Sequence, residues 1–181
     1  MLYPSKTITL KNGRTAVFRS PRKEDAAAMI DQLRRMAGES DFLLRTPEEV
    51  NMTVEQEERF IESINQSCNN FMILCEVDGQ YAGNCHLQLY DKSKIRHRGS
   101  VAIGLSGEFW GMGIGTAMFE EMLALAGECG CEQLELGVIE GNERGLALYR
   151  KMGFVEYGRL PNAFRQKDGS LRSEILMVRR L

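Results

Sequence analysis

Between Thr7 and Arg19 two short β-rich runs flank Lys11-Asn12-Gly13-Arg14, and Asn-Gly between such runs predicts a tight antiparallel hairpin. The spacing then changes. From Lys23 to Met36 the apolar residues Ala26, Met29, Ile30, Leu33 and Met36 recur at helical intervals, with Gly38 where a C-terminal stop is expected. Thr53 and Gln56 resemble a capping box that opens a second helix, carrying Val54, Phe60, Ile61 and Ile64 inward and glutamates outward. Gly38 to Met52 reads as the loop between them.

Phe71 to Val77 and Tyr81 to Tyr90 are β-rich runs joined through Asp78-Gly79-Gln80, a second hairpin. After the polar turn from Asp91 to Lys94, Arg98 to Leu105 gives a further strand. Gly111-Met112-Gly113-Ile114-Gly115 follows, then a helical pattern through Thr116, Met118, Phe119, Met122, Leu123, Leu125 and Ala126 that ends near Gly127 to Gly130. Leu134 to Val138 alternates as a strand, Asn142 caps a short helix to Lys151, and Gly153-Phe154-Val155 starts another strand. Lys167 to Ser170 is one more hairpin turn, before Ser173 to Val178. An antiparallel meander followed by strand–helix–strand–helix–strand predicts one α+β domain over residues 1–181. Its mixed, mostly antiparallel sheet would have about seven strands, four helices and a parallel pairing in the middle.

Composition narrows the function classes. Hydrophobic residues make up 43% and charged residues 27%, ordinary values for a globular chain. Of 18 glycines, twelve fall between Gly99 and Gly153, where none of the four prolines lies, so they serve local geometry rather than disorder. With 23 Lys and Arg against 25 Asp and Glu the formal charge is −2, which supplies no global attraction to nucleic acid or an anionic membrane. The five cysteines, an odd count with several inside apolar runs and no signal peptide ahead of them, read as reduced, buried thiols of a cytoplasmic protein. Charges interrupt every longer apolar stretch, so no membrane span is expected.

A strand, closely spaced glycines and a helix form an arrangement that binds phosphate, because bare backbone allows close approach and the unpaired amides at a helix start favour an anion. A tight turn with close strand–helix packing explains the same glycines. G-x-G-x-x-G fails in both frames, since Thr116 and Met118 stand at the last position, and no lysine follows as a nucleoside-triphosphate loop requires.

Trp110-Gly111-Met112-Gly113-Ile114-Gly115-Thr116-Ala117 resembles the [Q/R]-x-x-G-x-[G/A] motif of the GCN5-related N-acetyltransferases (GNAT superfamily), with Trp replacing Gln or Arg. Asn142 to Phe154 is similar to the family's N-x-x-A-x-x-L-Y-x-K-x-G-F segment, matching at Asn142, Leu148, Tyr149, Lys151, Gly153 and Phe154, with Gly145 where many members have Ala. The resemblance runs from about Thr7 to the C-terminus. It implies acetyl-CoA as co-substrate without a metal, and a splayed fourth and fifth strand pair whose free backbone groups bind the pantetheine arm. Carried over by residue, it places Ile103 and Leu105 at those main-chain contacts. Gly111, Met112, Gly113, Ile114, Gly115 and Thr116 fall at the pyrophosphate, and Asn142 at the cofactor as well as at a helix cap. Gly104 inside the strand reads as its bulge. Tyr149 matches the family tyrosine that protonates the leaving thiolate.

The implied function is transfer of an acetyl group to a primary amine, a small molecule or a peptide or protein, by direct attack in a ternary complex. The alternative is a CoA-binding regulatory module without turnover. Family members are often dimers, and nothing in these residues fixes an interface. For the general base the candidates are Glu135, Glu108, Glu140 and His86, with water-mediated deprotonation as the default. Three further groups have ordinary readings beside functional ones. Lys92, Lys94, Arg96, His97 and Arg98 are a charged turn or a phosphate or RNA contact. Cys129-Gly130-Cys131 lacks the second pair a zinc site needs. Glu48 to Glu62, with Asp41 and Phe42, are a solvated face or the acceptor side.

Overall fold

A computed structural model describes residues 2–181. β1 (Lys6–Thr9) and β2 (Thr15–Arg19) form the first hairpin, with Gly13 left-handed at its turn (φ 81°). α1 (Ala26–Glu39) and α2 (Val54–Gln66) precede the meander β3 (Asn70–Val77), β4 (Gln80–Leu89) and β5 (Arg98–Leu105). α3 (Ile114–Glu128), β6 (Gln133–Ile139), α4 (Glu143–Lys151), β7 (Val155–Arg165) and β8 (Leu171–Arg180) complete the chain. The strands make one sheet in the order β1-β2-β3-β4-β5-β6-β8-β7, antiparallel except for β5 beside β6.

Both faces of the central strands are covered, which is why β3 reads as a continuous apolar run. Phe71, Ile73 and Cys75 pack with Ile114, Met118, Phe119 and Met122 of α3 and Leu146 of α4. The alternate residues Met72 and Leu74 pack with Ala26 and Met29 of α1 and Ile61 and Ile64 of α2. Among the described residues no helix is long and apolar enough to cross a membrane.

Several expectations are corrected. The sheet has eight strands rather than seven. β7 is an edge strand with exposed Val155, Tyr157 and Leu160, interrupted by Pro161 and a left-handed Asn162, so it carries no clear alternation. α1 starts at Ala26 after a short 3-10 turn (Lys23–Asp25) and runs through Gly38, ending because Ser40 is extended. The capping box of Thr53 and Gln56 forms, but Val54 and Phe60 stay exposed. Phe60 lies about 100° around the helix from Ile61, and Glu57, one turn before Ile61, is partly buried, with burial pushing its carboxyl up. β5 pairs with β4 without a register shift, so Gly104 is no bulge; the irregularity lies between Cys75 and Glu76 on β3. Of the five free cysteines, Cys75, Cys85 and Cys131 are buried and Cys68 and Cys129 are exposed.

Arg19, at the end of β2, is a buried cation that ties the sheet to the start of α1. Its guanidinium binds both Asp25 oxygens (2.6 and 2.8 Å) and Glu76, and Asp25 accepts from the Arg22 N–H at 2.6 Å. Burial alone would raise the Asp25 carboxyl; its hydrogen bonds to Arg19 and Arg22 outweigh that and hold it below the usual 3.8. A depressed folded pKa stabilises fully above the unfolded value and is lost as pH falls through the folded one. Urea unfolding should therefore show stability falling below about pH 4, and Asp25→Asn should flatten that fall while lowering stability at pH 7.

Candidate functional site

The parallel pairing of β5 with β6 is short: Arg98, Gly99 and Ser100 face Gln133, Leu134 and Glu135, and beyond them the strands part. The splayed pair expected as the fourth and fifth strands is therefore the fifth and sixth in this chain, which has one more strand ahead of it. Hydrogen-bond alternation says which backbone groups this leaves open. Tyr90 N–H donates to the Arg98 carbonyl and Ser106 N–H to the Ala82 carbonyl, so the even-numbered residues of β5 bond to β4. Val101, Ile103 and Leu105 therefore turn their N–H and C=O groups toward β6. The Val101 N–H closes the last paired position at Glu135, which leaves the Val101 carbonyl and both groups of Ile103 and Leu105 facing the gap. On β6, Leu181 N–H bonds the Glu132 carbonyl and Glu140 N–H the Ser173 carbonyl, which turns Gly137 and Ile139 toward the gap from the other side.

The gap is a cleft of about 860 Å³. Ile103, Leu105, Asn142, Gly145, Leu148 and Tyr149 line it beside α3 and α4; His86, Ala102, Gly104 and Glu174 line it toward α1. Met36, Glu39, Phe42, Leu43 and Leu44 wall the mouth on that side, with Phe164 of β7 opposite. Gly104 has a role other than the expected one, since the Met36 methyl packs 3.5 Å from where its Cβ would be.

Trp110 stands at the cleft's edge, its indole N–H donating to the Leu105 carbonyl at 2.9 Å and the Arg144 guanidinium stacked 4.4 Å from its ring centroid. The glycine loop follows directly, outside the cleft proper. Gly111 (φ 78°) and Gly113 (φ 90°) are left-handed, and Gly113 is the N-cap of α3. The first three helical amides, Ile114, Gly115 and Thr116, have no i−4 carbonyl to reach, and among the described residues no amide from Gly111 to Thr116 donates elsewhere in the backbone. Ile114 sends its side chain into the core, and Met112 packs against it. Gly115 is a point of close approach, where a Cβ would press on Leu148 at 3.0 Å and meet Leu105 and Ile103.

Two cations flank this loop: Lys151, which belongs to the motif of α4, and Lys11, which nothing local in the sequence marks. The Lys11 stem, from the β1–β2 turn, lies 3.7 Å from where a Gly113 Cβ would be, and Lys151 Nζ donates to Thr116 Oγ1 at 3.1 Å. Asn142 caps α4 by accepting from Gly145 N–H at 2.9 Å. That contact explains Gly145, whose Cβ would press into the Asn142 amide. Tyr149 packs edge-on against Phe119 and Phe154, with centroids 5.6 and 6.4 Å away. Its hydroxyl takes no hydrogen bond among the described residues, and burial pushes the phenol up to about 12, so it keeps its proton at neutral pH.

Three of the four side chains considered as general base are engaged outside the cleft. Glu135 is held by Arg98 through both oxygens (3.0 and 2.7 Å), Glu140 by Arg159 at 2.8 Å, and Glu108 faces Arg35 at 3.9 Å. His86 does line the cleft; its Nε2 is buried without a partner and burial lowers its pKa. The basic turn does not reach the cleft: Arg98 is paired with Glu135, Lys92 faces Asp91, and none of the cluster is among the lining residues. Nor does any glutamate from Glu48 to Glu62 line it, and Asp41 lines a smaller neighbouring depression. Among the described residues no three His, Cys, Asp or Glu side chains converge as a metal site.

Comparison with known proteins adds an independent line. An acetyltransferase of the GNAT family from Streptococcus pneumoniae is 26% identical, with a TM-score of 0.86 over 92% of this chain and 99% of that one. A ribosomal-protein-alanine N-acetyltransferase from Brucella melitensis (22% identical, TM-score 0.78, 91% of this chain and 99% of that) has the same fold. So does the acetyl-CoA complex of yncA, a putative acetyltransferase from Salmonella typhimurium (16%, 0.78, 92% and 94%). No curated protein sequence matches. A family model described as the acetyltransferase (GNAT) family matches residues 32–154, from α1 through the splayed strands and glycine loop to the end of α4. The chain belongs to the GNAT acetyltransferase family.

Proposed function

We propose that the chain transfers an acetyl group from acetyl-CoA to a primary amine by direct attack within a ternary complex. One observation carries the reading: the unpaired edges of β5 and β6 enclose a cleft that runs from a largely apolar mouth past Tyr149 toward a loop of free amides. The residues fit acetyl-CoA. Amides from Gly111 to Thr116, with Lys11 and Lys151 beside them, suit a pyrophosphate. The Val101 carbonyl and the Ile103 backbone groups suit the amides of the pantetheine arm. The Leu105 carbonyl is already engaged by Trp110, so its N–H is the group left to offer.

Bound acetyl-CoA supplies an activated acyl carbon with a thiolate leaving group. The chain's own part is to hold and protonate. The Ile103 N–H, aimed into the gap, donates to the thioester oxygen as negative charge develops there. Tyr149, with its high-pKa phenol, gives the departing sulfur a proton. Asn142 orients the start of α4 through its cap and lines the cleft. The cleft opens toward α1 between Phe42, Leu43, Leu44 and Phe164, which suits an amine carried on an apolar body, free or at a peptide end.

The test is release of free thiol from acetyl-CoA with a panel of free-N-terminus peptides, amino acids and polyamines, with mass spectrometry of the acetylated amine. Amine-dependent thiol release is expected. Saturable acetyl-CoA binding with no turnover on any amine would overturn the reading in favour of a CoA-binding module.

A further inference from the structure

We infer that Glu174 is the general base that takes a proton from the acceptor amine, and that the absence of a side chain at Gly137 is what lets it reach the cleft. The inference rests on the acyl-transfer reading. β8 does not border the gap, because β6 lies between them; with strands about 4.8 Å apart, a β8 side chain enters the gap only by crossing β6. Glu174 stands opposite Ile139 in the β6–β8 register and leans diagonally over Gly137, where a Cβ would collide with its carboxylate. Any other residue at 137 occupies that space.

The carboxylate arrives at a useful place. In the β5–β6 pairing Arg98 meets Gln133 and Ser100 meets Glu135, and continuing that offset sets Gly137 level with Ala102, one residue before Ile103. Glu174 lines the cleft, and its carboxylate has neither an ion pair nor a hydrogen bond among the described residues. The other titratable groups lining the cleft are His86 from β4, Glu39 at the end of α1, Glu143 and Arg144 at the start of α4, and Tyr149. Arg172, two residues before Glu174, is occupied elsewhere, stacked 5.5 Å from the Phe42 ring and donating to the Glu140 carbonyl. His86 is neutral at neutral pH because burial lowers its pKa, so it offers an ammonium no charge. Glu39 is exposed at the rim. Glu174 is thus an unpaired carboxylate beside the level of the Ile103 amide.

The protons balance as follows. Glu174 accepts one proton from the ammonium and passes it to water. The freed amine nitrogen bonds the thioester carbonyl carbon, and the carbon–sulfur bond breaks. Tyr149 gives its phenolic proton to the sulfur, and a second amine proton restores the phenol. The third stays on the product amide, so the reaction yields amide, thiol and one released proton.

Glu174→Gln keeps the side-chain shape and removes the base. With the fastest amine of the panel it should lower kcat/KM at pH 7 by about 100-fold or more, leaving acetyl-CoA affinity by calorimetry unchanged. The deficit should shrink as pH approaches the amine's own pKa, where solvent supplies the neutral amine. Gly137→Ala should displace the carboxylate and lower kcat/KM in the same direction by roughly ten- to a hundredfold. Wild-type kcat/KM in Glu174→Gln, or a deficit equal at every pH, would overturn the base assignment alone. A wild-type chain that binds acetyl-CoA but acetylates no amine would overturn the acyl-transfer reading and the base with it.

Discussion

Tyr149→Phe is expected to lower kcat by about two to four orders of magnitude while acetyl-CoA binds with near wild-type affinity. The substitution isolates one proton. The ring stays, and with it the edge-on contacts to Phe119 and Phe154. The lost hydroxyl leaves no orphaned partner, because it takes no hydrogen bond among the described residues. The fold therefore has no reason to weaken, and thermal unfolding should be unchanged. The phenol's pKa near 12 adds that Tyr149 remains protonated throughout an assay between pH 6 and 9. Any change of rate with pH in that window then belongs to the amine and its base, and the variant should keep the wild-type profile shape at a lower height. Lowering kcat and kcat/KM together is the signature of a contact made only in the transition state. Unchanged kcat at saturating amine would mean that water protonates the thiolate and that Tyr149 is a packing residue of α4.

What was legible beforehand follows the range of the interactions. The hairpins at Asn12-Gly13, Asp78-Gly79 and Asp168-Gly169 show their left-handed residues in two letters, and all three turns form. Helix starts marked by Thr53 and Asn142 are likewise local, since the cap and its amide lie three residues apart. Tyr149, Asn142 and the glycine loop were visible because each belongs to one short motif. Lys11 and Glu174 were not. Lys11 meets the loop only because β1 and β2 fold back beside α3, about a hundred residues later in the chain. Glu174 matters only through its neighbour in the sheet, Gly137, and a register between β6 and β8 cannot be read from either strand alone.

The same distinction explains the candidates that fall away. Glu135 resembles a base because it sits on a strand bordering the cleft, yet Arg98 from the adjacent strand neutralises it at the point where β5 and β6 still pair. An ion pair closes the narrow end of the splay, and the free carboxylate comes from one strand further out. Gly104 looked like a bulge, and its bare face instead admits Met36 from α1. A missing side chain serves three different purposes in and beside the cleft: helix packing at Gly104, passage of a carboxylate at Gly137 and, next to the cleft, strand–helix approach at Gly115.

Gly113→Val is expected to abolish measurable acetyl-CoA binding. Gly113 caps α3 with φ 90°, a conformation that costs a β-branched residue on the order of 1–2 kcal/mol. Valine escapes that cost by rotating the loop, which turns the amides of Ile114, Gly115 and Thr116 away from their common direction. Its side chain also points toward the Lys11 stem, 3.7 Å from the Cβ position, and displaces the lysine flanking the loop. Charge-assisted hydrogen bonds are worth about 1.5–3 kcal/mol each, so losing two weakens binding by roughly two orders of magnitude or more. Gly130→Val separates this from instability. Gly130 is also left-handed (φ 75°), with open space around its Cβ position, but follows the opposite end of α3. That control bears similar backbone strain with no anion nearby, so it should lower the unfolding midpoint and keep its affinity. Calorimetric titration of both variants with acetyl-CoA decides the matter: retained affinity in Gly113→Val would mean that the pyrophosphate lies elsewhere, and equal loss in Gly130→Val would trace the effect to the strained helix rather than to the amides.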